Sequence, residues 1–123
     1  MTRRLLAVGV GVAVALAMPA SAHHGGGASD QAETLKLVAT VTGLQFANPH
    51  VVLFFDVTKD GTTEQWSGWL GAPSTLVRAG WTKRTLEPGD QITVEGRSPR
   101  GGGFLQIRKL LDSYGRDLPL SGR

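Results

Sequence analysis

Two consecutive β-type segments, joined at Asn48-Pro49, constrain the fold of this chain more than any other feature of its sequence. Residues 34–46 alternate apolar and polar side chains with a period of two, which is typical of a strand with one face in water. Gly43 interrupts this alternation and predicts a β-bulge or a sharp coil of the strand. Residues 51–58 form a nearly continuous apolar run and predict a more buried strand. Because an Asn-Pro dipeptide bends the chain and disfavours a helix, we expect the two strands to meet at a corner.

The middle of the chain predicts a hairpin followed by one short helix. Asp60-Gly61 is a strong hairpin signal, and it precedes a third strand at residues 63–70. Residues 72–80 predict the helix, because proline is tolerated in a first turn and glycine suits a helix C terminus. The side chains that we expect to face or cover the core from this segment are Leu76, Val77 and Trp81.

The last third of the chain predicts two further strands. Pro88-Gly89 suits the centre of a type II turn, and residues 91–96 and 104–111 again carry alternating apolar side chains. The resulting order is three strands, a short helix and two strands. This order predicts a mainly β domain at residues 34–120: a small five-stranded barrel of the oligonucleotide/oligosaccharide-binding (OB) type, with the helix between strands 3 and 4. An open β-sandwich and an SH3-like barrel are the alternatives.

The first 22 residues have the features of a cleavable secretory signal peptide. Arg3-Arg4 is followed by an apolar run at residues 5–18 and by the small residues Ala20-Ser21-Ala22. The run is shorter than the roughly 20 residues that span a bilayer, so we expect cleavage rather than a stable membrane anchor. The sequence predicts a periplasmic or secreted protein and leaves the Sec and twin-arginine routes open. Residues 23–33, which are rich in glycine, predict a flexible N-terminal arm.

Charge and cysteine content exclude several function classes. The chain has 13 Lys and Arg residues against 10 Asp and Glu, and removal of Arg3 and Arg4 leaves 11 against 10. Nucleic-acid binding needs a clustered basic excess, so we expect no nucleic-acid partner. The chain has no cysteine, which excludes thiol catalysis and cysteine metal ligands.

All histidines lie at two places, the pair His23-His24 and His50. If cleavage follows Ala22, the α-amine and imidazole of His23 can chelate one metal ion, with His24 or His50 as further nitrogen ligands. Nitrogen-rich sites favour Cu(II), so copper is the candidate cofactor. The position of His23 resembles the N-terminal histidine brace of copper monooxygenases and some periplasmic copper carriers. The alternative is a polar arm, with His50 bonded to backbone near the bend.

Two tryptophans of the third strand are candidates for ligand binding. Trp66 and Trp69 lie three residues apart, so in a strand they face opposite sides, and we expect one in the core and the other exposed. An exposed tryptophan can stack on a saccharide. Catalytic patterns are absent: Asp56 and Glu64 are interpreted as solvated cross-strand charges. We therefore expect a binding domain rather than an enzyme, with copper, a saccharide or an envelope protein as its partner.

Several short segments along the chain form a specific combination. They are His23-His24, residues 40–42, Asn48-Pro49-His50, Trp66 ahead of residues 71–73, residues 76–78, Gly80-Trp81 with Thr82, and residues 86–96. Together they resemble the DUF6152 family of small exported bacterial proteins of unknown function. The resemblance implies an exported, periplasmic β-barrel with no established activity. Gly25 after the histidine pair and Trp69, where the family pattern implies a glutamate, depart from that pattern, so no carboxylate shared with His50 is implied here.

Overall fold

The protein forms a closed five-stranded β-barrel with one short helix, which confirms the predicted fold class. The computed structural model describes residues 32–99 and 101–122; the predicted signal peptide and most of the predicted arm, including His23 and His24, lie outside them. Around the barrel the strands follow the order β1-β2-β3-β5-β4, and β3 pairs with β5 in parallel. The elements are β1 Glu33–Gln45, β2 Val51–Lys59, β3 Thr62–Gly71, α1 Pro73–Arg78, β4 Gln91–Ser98 and β5 Phe104–Leu111.

The core fills the barrel from the alternate, inward-facing positions of every strand. Phe55, Leu53, Val94 and Leu105 are fully buried, and the ring of Trp66 packs 6.3 Å from that of Phe55. Burial of apolar area at about 25 cal/mol per Å² is the main stabilising contribution, and the chain has no disulfide to add to it.

One end of the barrel is closed by α1 and the residues after it. Leu76 is fully buried, as predicted, but Val77 is 56% exposed, so the prediction that both face the core was wrong for Val77. Successive helical residues are about 100° apart, and a helix of 6 residues presents one narrow face to the barrel. Trp81 is buried, and its indole Nε1 donates a hydrogen bond of 2.7 Å to the carbonyl oxygen of Pro119, which fastens the C-terminal segment over this end.

Bends and turns lie where glycine permits them. The β1–β2 register shifts between Val41 and Gly43, which confirms the predicted bulge. Asp60 and Gly61 both have positive φ, 52° and 77°, as the hairpin between β2 and β3 requires. Gly96 on β4 permits the closest approach of two strands, because a Cβ there would overlap the carbonyl oxygen of Gln106 on β5.

Candidate functional site

The outer face of β3 carries the exposed tryptophan of the predicted pair. Trp66 is 8% exposed and belongs to the core, whereas Trp69 is 41% exposed on the outside of the barrel. This follows from the alternation of side chains along a strand, since the two residues are three apart. Trp66 therefore cannot meet a ligand at the outer surface, and of the two predicted candidates only Trp69 is exposed there.

His50 and Phe104 flank Trp69 and complete an aromatic cluster of these three residues. The His50 imidazole stacks on the Trp69 indole with centroids 4.2 Å apart and planes 13° from parallel. The Phe104 ring meets the indole edge-to-face at 5.1 Å and 80°. Both geometries are favourable for aromatic pairs and fix the orientation of the indole.

The cluster is assembled by the loop between β1 and β2 and by the pairing of β3 with β5. His50 directly follows the Asn48-Pro49 peptide bond, which is cis, and immediately precedes β2. In the parallel β3–β5 ladder, Ser67 lies opposite Phe104 and Trp69 lies opposite Gln106. Residues far apart in the sequence, 50, 69 and 104, thereby meet on one outer face.

A first cleft, the His50 cleft, has a volume of about 310 Å³ and lies on one side of Trp69. Its polar side chains are His50, Gln106 and Arg108, and no carboxylate lines it. Leu70, Gly71 and Ile107 complete the lining. The cleft thus combines one aromatic wall with an imidazole, an amide and a guanidinium, a mixture of apolar and polar groups that suits a small polar ligand.

A second cleft, the Phe104 cleft, has a volume of about 550 Å³. It is bounded by Phe104, by Ser67 and by the glycine-rich loop between β4 and β5, through Pro99, Gly102 and Gly103. Trp69 and Gln106 line both clefts, so these two side chains form a ridge between them. The two clefts therefore adjoin each other at Trp69 and Gln106.

Sequence reasoning did not identify Phe104 or Gln106 as site residues. Phe104 begins β5 and Gln106 is an uncharged polar residue on its outer face, so neither carries a local chemical signal. Only the parallel register of β3 and β5 brings them to Trp69, and that register depends on barrel closure. Arg108, also on β5, is exposed and lines the His50 cleft.

Metal-ligating residues do not cluster in the part of the chain that the structure describes. Residues 32–99 and 101–122 contain no group of three or more His, Cys, Asp or Glu side chains able to hold a metal ion. His50 is the single histidine among them, because His23 and His24 lie outside the described residues. These residues alone do not fit a copper ion.

The carboxylates of the described residues line neither cleft. Asp56, on β2, is half-buried and has one oxygen buried without a hydrogen-bond partner, so the interpretation as a solvated charge is wrong for that oxygen. Glu64 accepts a hydrogen bond of 3.2 Å from the indole nitrogen of Trp66. The backbone N–H of Arg116 lowers the pKa of Asp112, which follows β5. None of these groups forms a paired acid and base beside Trp69.

No helix among the described residues has the length and apolarity that a membrane crossing needs.

Comparisons with known proteins identify a family and distant likenesses among solved structures. The model of a family described as "Family of unknown function (DUF6152)" matches residues 12–106. No curated protein matches the chain. Among solved structures, the chain is similar to the ZRD-deleted mutant of TiaS in complex with agmatine, with a TM-score of 0.44 and 15% identity over 74% of this chain. The chain spans 28% of that protein's chain.

Proposed function

The chain belongs to the DUF6152 family, and we propose that it is an exported β-barrel domain that binds a saccharide across the His50 and Phe104 clefts. The observation that carries this proposal is the ridge of Trp69 and Gln106 between two adjoining clefts on the outer face. An elongated ligand with repeating units can occupy both clefts while one unit contacts the ridge. Export is proposed from the sequence of residues 1–22.

The chemistry of the ridge and clefts suits a sugar. A pyranose has an apolar face of C–H groups that packs against an indole, and a rim of hydroxyls that needs hydrogen-bond partners. Trp69 supplies the apolar surface, and Gln106, Ser67 and His50 supply donors and acceptors on both sides of it. In OB-type barrels the face of strands 2 and 3, with the loops between strands 1 and 2 and strands 4 and 5, is the surface that binds oligosaccharides and oligonucleotides. This chain has its aromatic cluster on that face.

Two alternatives fit the same surface less well. Oligonucleotide binding requires several cations along a phosphate backbone, and the near balance of charge after removal of Arg3 and Arg4 does not provide it. Glycoside hydrolysis typically uses two carboxylates that flank the bond, and the lining of the two clefts contains none. A binding role is therefore the function that we propose.

The test is a glycan array followed by calorimetry on the best ligand, with wild-type protein, Trp69→Ala and Tyr114→Ala. Tyr114 is a matched control, because it is an exposed aromatic side chain that lines neither cleft. Loss of an aromatic stacking contact costs about 1–3 kcal/mol, so Trp69→Ala should weaken binding by about fivefold or more. Tyr114→Ala should bind like the wild type. Equal affinity of the wild type and Trp69→Ala would refute the proposal.

A second candidate function is a copper site that combines His50 with the histidines of residues 23–24. The specific support is the position of the start of β1 on the barrel. Thr34 lies opposite Arg97, Arg97 opposite Gln106, and Gln106 opposite Trp69. With about 4.8 Å between neighbouring strands, Thr34 is about 14 Å from Trp69 along the surface.

The connecting segment is long enough to cover that separation. Residues 23–31 span about 30 Å when extended, at about 3.4 Å per residue, so His23 and His24 have the reach to meet His50. The bound ion would be held by imidazole nitrogens and the amine that cleavage after Ala22 exposes. Cu(II) titration followed by electron paramagnetic resonance tests this. His50→Ala and a protein with one residue added before His23 should each change the spectrum and weaken binding, and unchanged binding in both variants would exclude this site.

A further inference from the structure

The charge of the His50 cleft suggests the class of sugar that it takes. Arg108 lines the cleft, is exposed, and forms no ion pair with any residue among 32–99 and 101–122. His50 and Gln106 line the same cleft, and no Asp or Glu does. An exposed guanidinium with free donors beside a sugar-sized cleft is suited to a carboxylate, because its donors match the two oxygens of that group.

Two charged residues of β4, one basic and one acidic, pair with β5 beside this position. Gln106 on β5 lies opposite Trp69 on β3 and opposite Arg97 on β4. A second basic residue therefore follows Trp69 and Gln106 in the line of paired residues that crosses these three strands. Glu95 lies opposite Lys109, which follows Arg108 in the sequence but lines neither cleft. Within the lining of the His50 cleft, the guanidinium of Arg108 has no carboxylate beside it, so this lining disfavours a cation and favours an anion.

From these observations we propose that the His50 cleft binds the carboxylate of an acidic sugar, such as a uronic acid, while the sugar ring packs against Trp69. This inference rests on the proposed saccharide function and adds the charge of the ligand to it. The carboxylate of a uronic acid projects from the rim of the ring, so a ring held against the indole can extend it toward Arg108. The Phe104 cleft, whose lining has no charged side chain among the described residues, takes a neighbouring unit through neutral contacts.

The test compares tetragalacturonate with its methyl ester, which has the same rings but no charge. Calorimetry is carried out on the wild type, Arg108→Gln and Lys109→Gln. The two variants remove the same charge from adjacent exposed positions of β5, and only Arg108 lines the cleft. Both should keep the wild-type circular dichroism spectrum, because exposed substitutions rarely disturb folding.

The wild type should bind the acid about tenfold more tightly than the ester, as expected for one charge-assisted contact in a solvent-accessible site. Arg108→Gln should abolish that preference, and Lys109→Gln should retain it. Added salt should weaken binding of the acid and leave the ester unaffected.

The failure of this inference is distinguishable from failure of the proposed function. If acid and ester bind the wild type equally, and Trp69→Ala weakens both, the cleft takes a neutral sugar and the inference is overturned while the saccharide function stands. If Lys109→Gln removes the preference as fully as Arg108→Gln does, the effect is one of overall charge and the assigned contact is wrong. If neither ligand nor any glycan of the array binds, both proposals fall.

Discussion

The substitution Gly96→Ala tests the close contact between β4 and β5, which positions one side of the candidate site. A Cβ at residue 96 would overlap the carbonyl oxygen of Gln106 and lie 2.8 Å from its carbonyl carbon and 3.0 Å from the Cα of Ile107. The contacting atoms belong to backbone, so they cannot rotate away as a flexible side chain does. The substitution Gly96→Ala therefore forces the two strands apart at the position where Gln106 lines both clefts.

The expected cost of Gly96→Ala follows from the kind of atoms that must move. Overpacking typically costs about 1–3 kcal/mol, and displacement of paired backbone belongs at the upper end of that range, about 3 kcal/mol. In a domain of this size each kcal/mol lowers the melting temperature by about 4–8 °C, so a decrease of about 12–24 °C is expected. Thermal and urea unfolding, followed by tryptophan fluorescence and circular dichroism, measure both quantities.

Gly102→Ala is the matched control for this prediction. Gly102 lies in the loop between β4 and β5, and a Cβ there would meet no atom within 4 Å. This substitution should change the free energy of unfolding by no more than about 0.5 kcal/mol. If Gly96→Ala destabilises the protein by less than about 0.5 kcal/mol more than Gly102→Ala does, the strands are not in the close contact described and the reasoning is refuted.

Three further predictions concern stability. Leu76→Ala should lower the free energy of unfolding by about 2–5 kcal/mol in urea denaturation, because its buried side chain packs against the barrel end, whereas Val77→Ala at an exposed position should stay within about 0.5 kcal/mol. Ser98→Ala should cost about 1 kcal/mol in the same assay, because the buried hydroxyl donates to a carbonyl oxygen of β5. The backbone N–H of Arg116 lowers the pKa of Asp112 below its ordinary value of 3.8, so the stability that the carboxylate contributes is present above that pH and is lost as the pH falls through the lowered pKa. The advantage of the wild type over Asp112→Asn should accordingly shrink in denaturation series run from neutral to strongly acid pH, and an advantage that is independent of pH would contradict the assignment.

The strands could be predicted because each one carries its own signal. The alternation of residues 34–46 corresponds to β1, Asp60-Gly61 to the hairpin and residues 104–111 to β5. The order of the elements then restricts the topology, since a closed sheet leaves no edge exposed. The inward position of Trp66 and the outward position of Trp69 follow from the same period of two, once the burial of the neighbouring residues decides which face is inside.

The neighbours of Trp69 could not be predicted, because their proximity is a property of the closed barrel. Phe104 is 35 positions further along the chain and reaches Trp69 through a parallel pairing of only three residue pairs. Local periodicity is identical for any register of that pairing that differs by two residues. The exposure of Val77 on α1 could not be predicted either. Hydrophobicity alone does not determine which residues of a 6-residue helix with one buried face reach the core.

The two candidate functions make different demands on His50, and its geometry is compatible with both. Packing against Trp69 at 4.2 Å uses the face of the imidazole. Metal coordination uses the ring nitrogens, whose lone pairs lie in the ring plane and point away from that face. A stacked histidine is therefore oriented by the indole without losing its coordinating atoms.

The neighbouring Arg108 separates the functions more clearly, because a positive guanidinium in the same cleft opposes a cation and attracts a carboxylate. That charge is the physical reason for ranking an acidic saccharide ahead of copper at this cleft, even though the histidines first suggested a metal.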